Sequence, residues 1–198
     1  MKRLILASQS PRRAELLTQM GLPFDVLVTD LDERRKPGER PERYVDRLAR
    51  GKCEAGVAMS VDAPLAVIGA DTIVVLDNEI LGKPRSLSDS KTMLSKLSGR
   101  THQVLTGVAV SDGSHLESVV VSSSVTFKDL TDRELAAYLA TGEGRDKAGS
   151  YGIQGIGGVL VEHIEGSFSA VMGLPVFETE KLLERIQLDT WALRRSQP

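Results

Sequence analysis

The chain has 198 residues, of which 41% are hydrophobic and 26% are charged, and its formal net charge is −2 at pH 7. This balance is typical of a soluble globular protein and excludes an intrinsically disordered chain. Without a net positive field to follow a nucleic-acid backbone, anion binding requires a local basic cluster, which favours small anionic ligands. The length allows one large domain or two closely associated lobes, and we expect one compact unit.

The single cysteine and the N-terminal segment indicate a cytoplasmic protein. Cys53 cannot form an internal disulfide, and its place in a helical pattern predicts a core thiol in a reducing compartment. Residues 1–3 precede only a strand-length apolar run, and Pro11 follows it, so neither a signal peptide nor a membrane span is predicted.

The segment from residue 4 to residue 17 predicts a strand, a tight polar turn and a helix. Residues 4–7 form an apolar run of strand length, Ser10 is a favoured N-cap residue, and Pro11 suits the first helical position. Arg12 and Arg13 then lie at the positive end of the helix dipole, where each costs roughly 0.3–1 kcal/mol. Both arginines either point into water or, with nearby hydroxyls and backbone N–H groups, bind a phosphate.

A second strand over residues 24–28 completes a β-α-β unit, and a polar loop over residues 29–41 follows it. The acidic residues of this loop include Asp30, Asp32 and Glu33. Composition alone favours a solvated linker. The functional alternative is that a carboxylate of this loop lies over the start of the first helix and helps to hold a metal.

The next helix, predicted over residues 41–58, carries a lysine on its apolar face. Lys52 lies four residues after Leu48 and seven after Val45, which is helical spacing. Such a lysine either extends its ammonium group outward to water, the more common case, or meets an anion inside the protein.

The most apolar run in the sequence, residues 65–76, predicts a central strand that is covered on both faces, and Asp71 interrupts it. A buried carboxylate needs a cation, a metal or strong donors beside it. A structural ion pair would satisfy this need, but a lone acid in a central strand favours a functional role. A short return strand over residues 79–81 then leads to Gly82-Lys83-Pro84, a sequence compatible with a phosphate site but too short to be specific.

The middle of the chain predicts a helix and then the antiparallel part of the sheet. Ser88 is expected to cap a helix over residues 89–97. Two Val- and Thr-rich strands over residues 101–111 and 116–127 flank Asp112-Gly113, a strong hairpin signal.

A glycine-rich segment follows a helix that begins at a capping box, Thr131-x-x-Glu134, and extends to residue 140. Residues 142–158 contain seven glycines, so their backbone is suited to turns or to close approach to a ligand. Lys147 offers a charge and Gln154 offers a donor and an acceptor for a nucleobase edge. Interleaved Tyr151 and Ile153 argue against the alternative of a flexible linker.

The C-terminal part predicts a strand over residues 159–164, after which Leu174-Pro175 leads into a last helix through Ile186. The tail over residues 189–198 is expected to be loosely held.

Six motifs, in order along nearly the whole chain, resemble those of the Maf family of nucleoside triphosphate pyrophosphatases. Each alone is weak, but their combination is specific. They are Ser8-x-Ser10-Pro11-Arg12-Arg13-x-Glu15-Leu16-Leu17, Gly69-Ala70-Asp71-Thr72, Gly82-Lys83-Pro84, Ser98-Gly99-x-Thr101-His102-x-Val104-x-Thr106-Gly107, Asp146-Lys147-Ala148-Gly149-x-Tyr151-Gly152-Ile153-Gln154-Gly155 and Gly173-Leu174-Pro175.

The resemblance implies an α/β fold with a long mixed twisted sheet flanked by helices and a central cleft, related to the inosine triphosphatase architecture. Residues 1–198 would form a single domain of two lobes around that cleft, and the protein would be a homodimer. The implied reaction converts a nucleoside triphosphate and water into the monophosphate and pyrophosphate, with Mg²⁺ or Mn²⁺ as the cofactor.

The resemblance also implies roles for individual residues. Asp71 matches the proposed proton acceptor, and Glu33 and Asp71 would serve the metal or the water. Substrate selection is implied for Arg12, Thr72 and Gln154, and contacts to the phosphates for Ser8, Ser10, Arg13, Lys52, Lys83 and Lys147.

The Asp71-Thr72 pair and the Tyr-Gly-Ile-Gln segment look like the subgroup that acts on dTTP and UTP in the housecleaning of nucleotide pools. One alternative substrate class is modified or damaged nucleotides. Another alternative is a nucleotide-binding regulator of cell division or septum formation with little turnover. Neither a nucleic-acid polymer nor a membrane is an expected partner.

Overall fold

The structure, a computed structural model, describes residues 3–60 and 65–195. Strands and helices alternate through most of the chain, and none of the helices in these two ranges is long and apolar enough to cross a membrane. The strands are β1 (Arg3–Leu6), β2 (Asp25–Val26), β3 (Leu65–Leu76), β4 (Glu79–Leu81), β5 (Thr101–Ser111), β6 (Leu116–Phe127) and β7 (Val161–Glu165). The helices are α1 (Pro11–Gln19), α2 (Pro41–Met59), α3 (Leu87–Leu97), α4 (Asp132–Thr141), α5 (Phe168–Met172), α6 (Val176–Arg185) and α7 (Thr190–Arg195).

In the described part of the chain, seven strands form one mixed sheet in the order β2-β1-β3-β5-β6-β7, with β4 paired to β3. β1 pairs in parallel with β2 and with β3, where Leu6 lies opposite Val26 and Ile68. The β3–β4 and β6–β7 pairs are antiparallel. The predicted α/β fold with a mixed sheet is confirmed, and so are the predicted bounds of β3, β5 and β6.

The chain divides into two compact units. Unit 1 comprises the described residues of 1–71, 106–121 and 173–198, and unit 2 comprises residues 72–105 and 122–172. β3, β5 and β6 contribute residues to both units. The central cleft and the single two-lobed domain stay predictions.

Close packing of α2 on the sheet shapes unit 1. A Cβ atom on Gly69 of β3 would overlap the carbonyl oxygen of Ala49 and lie 2.5 Å from the amide nitrogen of Cys53. A Cβ on Gly107 of β5 would lie 2.7 Å from the carbonyl oxygen of Val45. Glycine at both positions therefore lets the helix backbone approach the strands directly.

The core of unit 1 lies between α2 and the sheet. Cys53 is fully buried there, and its thiol lies 3.2 Å from the carbonyl oxygen of Val67. Burial raises the pKa of this thiol to about 12, which makes it an inert core group, as predicted. The surrounding cluster comprises Ile5, Ala7, Ala49, Val67 and Ala109.

Two helices of unit 2 begin at side-chain caps, one as predicted and one not. Thr131 and Glu134 form the expected capping box at α4. The prediction of Ser88 as the cap of α3 is wrong, because Ser86 accepts a hydrogen bond from the Asp89 amide at 3.1 Å. The Asp89 carboxylate in turn accepts from the Arg85 amide at 2.9 Å, so the spacing from Ser86 to Asp89 satisfies two N–H groups at the helix start.

The C-terminal tail is anchored over residues 189–195, which corrects the prediction that it is loosely held; residues 196–198 lie outside the described residues. Arg194 of α7 donates to both carboxylate oxygens of Glu180 in α6, at 3.0 and 2.8 Å, and to the carbonyl oxygen of Met20 at 2.8 Å. Leu193 is buried beside this network. Hydrogen bonds and apolar burial therefore order the polar tail up to residue 195.

Two predicted strands are shorter in the structure, and two helices were not predicted. β2 pairs with β1 only at Asp25 and Val26. A 3₁₀ turn occupies Ile156–Leu160, so the last strand begins at Val161. The additional helices are α5, a single short turn, and α7 in the C-terminal tail.

Candidate active site

The start of α1 encloses an arginine. Arg13 is 8% exposed, and its guanidinium donates to the carbonyl oxygen of Gly173 at 2.8 Å and to Oγ of Ser8 at 2.9 Å. Oγ of Ser8 also accepts from the amide of Ser10 at 3.2 Å. Ser10 is the N-cap residue, as predicted, although its hydroxyl makes no capping hydrogen bond within the described helix. The alternative that Arg13 points into water is therefore wrong.

Four charged groups act on one another around this helix start. Burial lowers the pKa of Arg13, the charge of Asp71 opposes that change, Arg12 adds to it, and Glu33 opposes it. Arg13 nonetheless stays protonated, as arginine does in proteins. Two arginines at the positive end of a helix dipole are thus balanced by two carboxylates from other elements.

Lys52 of α2 joins the two carboxylates. Its Nζ lies 2.7 Å from Oδ1 of Asp71 and 2.7 Å from Oε1 of Glu33. The side chains of Lys52 and Asp71 are each 13% exposed, whereas that of Glu33 is 51% exposed. The sequence allowed Lys52 either to extend to water or to meet an anion inside the protein, and the structure shows the second.

Two side chains of α2 bind the polar loop that precedes this helix. The Tyr44 hydroxyl donates to the main-chain carbonyl of Glu33 at 2.8 Å, and Arg47 donates to Oε1 of Glu39 at 2.7 Å. Burial raises the pKa of Tyr44, and the negative charges of Asp71 and Glu33 raise it further. Tyr44 was missed in the sequence, although it precedes Lys52 by eight residues and so shares its helix face.

In unit 2, Lys147 and Gln154 lie beside Gly152. A Cβ atom on Gly152 would lie 2.9 Å from Cε of Lys147 and 3.7 Å from Oε1 of Gln154. The Lys147 ammonium donates to the main-chain carbonyl of Glu143 at 2.5 Å and to Oδ1 of Asp146 at 2.8 Å. Gln154 itself is exposed.

A main-chain hydrogen bond joins two of the motifs. The amide of Gly149 donates to the carbonyl oxygen of Gly82 at 3.1 Å, next to the exposed Lys83. Gly149 has a φ of +69°, and a Cβ there would lie 2.9 Å from Cγ2 of Val74. Both the left-handed backbone and the close packing require glycine at this position.

The glycine-rich segment is held by two residues that sequence reasoning missed. The Glu143 carboxylate accepts from the amides of Ile156 and Gly157, each at 2.8 Å. The Tyr138 hydroxyl donates to the same carboxylate at 2.8 Å and accepts from the amide of Gly152 at 3.2 Å. No local sequence pattern signals these contacts, because a glutamate in a glycine-rich loop is compatible with simple exposure.

Beneath the segment, three rings pack edge to face. His102 Nε2 lies 2.8 Å from the Tyr151 hydroxyl, and the ring of Phe127 lies against both. His102 is 2% exposed, and burial lowers its pKa to about 4. Its Nδ1 makes no hydrogen bond to any part of the chain that the structure describes. The imidazole is therefore neutral near pH 7.

Comparison with known proteins agrees with the motifs. A family model described as "Maf-like protein" matches residues 3–186. The chain belongs to the Maf family. It is 55% identical over 187 residues to a protein of Pseudoalteromonas atlantica named "dTTP/UTP pyrophosphatase", covering 93% of this chain and 97% of that one. A Vibrio cholerae protein of the same name is 54% identical, with 92% and 97% covered. A Shigella flexneri protein named "Nucleoside triphosphate pyrophosphatase" is 52% identical, with 92% of each chain covered.

The predicted site residues of this Maf chain fall into two groups. Unit 1 contributes Ser8, Ser10, Arg12, Arg13, Glu33, Lys52 and Asp71, and unit 2 contributes Thr72, Lys83, Lys147 and Gln154. Hydrogen bonds, ion pairs and electrostatic interactions connect the members of the first group, with Lys52 and Asp71 at its centre. In the second group, Lys147 and Gln154 adjoin Gly152, and Thr72 follows Asp71 along β3. The chemical roles of these residues stay predictions.

Proposed function

We propose that this protein hydrolyses dTTP and UTP to the nucleoside monophosphate and pyrophosphate and so removes nucleotides from the cellular pool. The observation that supports this proposal most strongly is the cluster of Asp71, Lys52 and Arg13, in a chain with 55% identity to a protein named "dTTP/UTP pyrophosphatase". A binding protein without turnover has little use for an acid held in a central strand among fixed cations.

In the proposed reaction, the oxygen of water bonds to the α-phosphorus. The bond between the α-phosphorus and the oxygen that bridges it to the β-phosphorus breaks. Asp71 would orient the water and accept its proton. The bond electrons pass to the leaving pyrophosphate, which gains negative charge. Fixed cations near that charge stabilise the transition state more than the ground state.

Four cations are assigned to the phosphates: Arg13, Lys52, Lys83 and Lys147. The fixed partners of two of them support this assignment. Arg13 is fixed by Ser8 and Gly173, and Lys147 is only 14% exposed and has fixed partners of its own. Such preorganised charges cost little reorganisation when a substrate arrives.

Substrate selection is assigned to Gln154, Arg12 and Thr72, with Gln154 as the residue that reads the base. An exposed amide such as that of Gln154 can donate and accept at once, which matches the mixed edge of uracil or thymine. Its neighbours Ile156 and Gly157 are fixed by Glu143, so its main chain is held in place.

The proposed cofactor is Mg²⁺ or Mn²⁺, held by Glu33 and Asp71. No group of three or more metal-binding side chains occurs in residues 3–60 and 65–195. Two carboxylates with phosphate oxygens and water are nevertheless a normal ligand set for Mg²⁺, so the residues present fit the ion. When bound, the ion would neutralise phosphate charge.

We further propose a cytoplasmic homodimer. The buried thiol of Cys53 suits a reducing compartment. Light scattering of the purified protein tests the dimer, and a monomer at micromolar concentration would contradict it.

A nucleotide panel tests the proposed activity. The purified protein is incubated with Mg²⁺ or Mn²⁺ and dTTP, UTP, CTP, GTP or modified pyrimidine triphosphates, and the products are separated. We expect pyrophosphate and the monophosphate from dTTP and UTP. Orthophosphate as the product would contradict the proposed bond cleavage, and tight binding without any product would favour a nucleotide-binding regulator of cell division.

A further inference from the structure

The carboxylate of Glu143 binds two consecutive main-chain amides. Its Oε1 accepts from the amide of Ile156 and its Oε2 from the amide of Gly157, each at 2.8 Å. In the segment of residues 152–157, these amides come two and three residues after Gln154. A single side chain thus fixes the main chain on the C-terminal side of the proposed base-reading residue.

Tyr138 of α4 extends this support to the other side of Gln154. Its hydroxyl donates to Oε2 of Glu143 at 2.8 Å and accepts from the amide of Gly152 at 3.2 Å. The packing is tight, because a Cβ on Gly155 would overlap Oε1 of Glu143 and a Cβ on Gly157 would lie 2.9 Å from the Tyr138 hydroxyl. Tyr138 of α4 and Glu143, which follows the C-cap Gly142, therefore support the 152–157 segment through their side chains.

The support requires a carboxylate and not merely a polar side chain. Three N–H or O–H groups point at its two oxygens, and a carboxylate accepts from all of them. Burial favours the neutral form of Glu143, but the hydrogen bonds from Tyr138, Gly157 and Ile156 outweigh it, so its pKa is lowered. A glutamine in this place would point its NH₂ group at one of these donors, so that two donors would face each other without a hydrogen bond.

We propose that Glu143 is a positioning residue that fixes the 152–157 segment and thereby sets the preference of the site for a pyrimidine nucleotide. The inference rests on the proposed function, because it takes Gln154 as the residue that reads the base. Glu143 touches neither substrate nor reacting atoms in this scheme. It acts through the main chain that presents Gln154.

The hydrogen bonds of the Lys147 ammonium do not involve the Glu143 side chain. The ammonium is held by the main-chain oxygen of Glu143 and by Asp146. The stem of Lys147 lies beside Gly152, and its charge acts on the Glu143 carboxylate. Replacing Glu143 by glutamine therefore disturbs the 152–157 segment but keeps both hydrogen-bond partners of Lys147, so contacts to the base should weaken more than contacts to the phosphates.

The experiment compares wild type, Glu143→Gln and a matched control, Glu162→Gln, an exposed glutamate of β7 in the same unit. For each, kcat and KM are measured with UTP and GTP, and inorganic tripolyphosphate is used as a base-free inhibitor. We expect Glu143→Gln to raise KM for UTP about tenfold, the effect of one lost charged hydrogen bond. The ratio of kcat/KM for UTP to that for GTP should fall by a similar factor, while inhibition by tripolyphosphate changes less than about twofold.

A second variant keeps the test decisive if Glu143→Gln does not fold. Tyr138→Phe removes one donor to the carboxylate and the acceptor for Gly152, and it should change the UTP-to-GTP ratio in the same direction by a smaller factor. The inference is overturned if both folded variants keep the wild-type ratio, or if KM for UTP and inhibition by tripolyphosphate change equally. If wild type and Glu162→Gln release no pyrophosphate from UTP, the proposed function itself has failed.

Discussion

The ammonium group of Lys52 lies 2.7 Å from a carboxylate oxygen of Asp71, and both side chains are only 13% exposed. This pair joins α2 to the middle of β3, and Glu33 meets the same ammonium from the loop before α2. Since each charge needs the other in a partly desolvated place, the two residues should be coupled in stability as well as in chemistry.

The coupling can be measured by a double-mutant cycle. Lys52→Met should destabilise the fold by about 2 kcal/mol, because it leaves Asp71 without its cation, and residual solvent access keeps the cost below that of a fully buried pair. Adding Asp71→Asn to the Lys52→Met variant should recover more than half of that loss. Urea unfolding in the presence of a chelator measures both values. The control is Lys91→Met, at an exposed position of α3. Simple additivity of the two substitutions would contradict the coupling.

Asp71→Asn tests the proposed chemistry directly. Loss of the group that accepts the proton of water should lower kcat for UTP by about 10²-fold or more at saturating Mg²⁺. Asp32→Asn is the matched control, because Asp32 forms an ion pair with Arg34 within the exposed polar loop. Pyrophosphate release is the readout. Near-normal turnover of Asp71→Asn would remove Asp71 from the role of proton acceptor.

Gln154→Ala tests base selection. Without the amide that donates and accepts at the pyrimidine edge, the preference for UTP over GTP should fall about tenfold or more, since unmatched polar groups are costly to desolvate. The comparison uses kcat/KM for the two nucleotides, with the exposed Gln103→Ala of the same unit as the control. An unchanged preference in Gln154→Ala would exclude it from base recognition.

Gly69→Ala tests the close approach of α2 to β3. The added methyl group would overlap the Ala49 carbonyl oxygen, which belongs to a helix backbone and cannot rotate away. We expect a loss of about 3 kcal/mol, at the upper end of overpacking costs, and a fall in Tm of several degrees. Gly82→Ala serves as the control, because nothing lies within 4 Å of its added Cβ. Equal Tm values for the two variants would contradict the packing described for unit 1.

His102 should make stability depend on pH below neutrality. Its pKa in the folded chain is about 4, because of burial, against 6.5 for an ordinary histidine. Between these values the unfolded chain binds a proton that the folded chain does not, so stability falls as the pH falls from about 6.5 to 4, by on the order of 3 kcal/mol.

The measurement follows the unfolding free energies of wild type and His102→Gln from pH 4 to pH 8. The advantage of wild type over His102→Gln should shrink as the pH falls. A constant advantage over His102→Gln would show that this histidine does not titrate differently on folding.

The regular elements could be predicted because they depend on local patterns. The apolar run of residues 65–76 and the hairpin signal at Asp112-Gly113 predicted β3, β5 and β6 with the correct bounds. The capping box of Thr131 and Glu134 predicted the start of α4. The cap of α3 was missed by two residues, because Ser86 and Ser88 both suit the role and only the carboxylate of Asp89 distinguishes them.

The candidate site could be predicted only as residue types with open alternatives. From the sequence, Arg13 and Lys52 could face either water or an anion, and Asp71 needed a cation, a metal or strong donors beside it. The structure decided for the cluster, with Lys52 between two carboxylates and Arg13 buried against Ser8. Glu143 could not be found in the sequence, because its partners are amide groups, which every residue except proline has.

By itself, the sequence determined the α/β alternation, the apolar core positions and the motifs by which the chain resembles the Maf family. Tertiary structure alone decided which charged side chains are buried together and that the C-terminal tail is anchored. The physical reason is distance along the chain: Arg13 binds the carbonyl oxygen of Gly173, 160 residues away, and Arg194 binds that of Met20, 174 residues away. Hydrophobic periodicity reports local burial, whereas a pairing of charges across such distances exists only once the chain has folded.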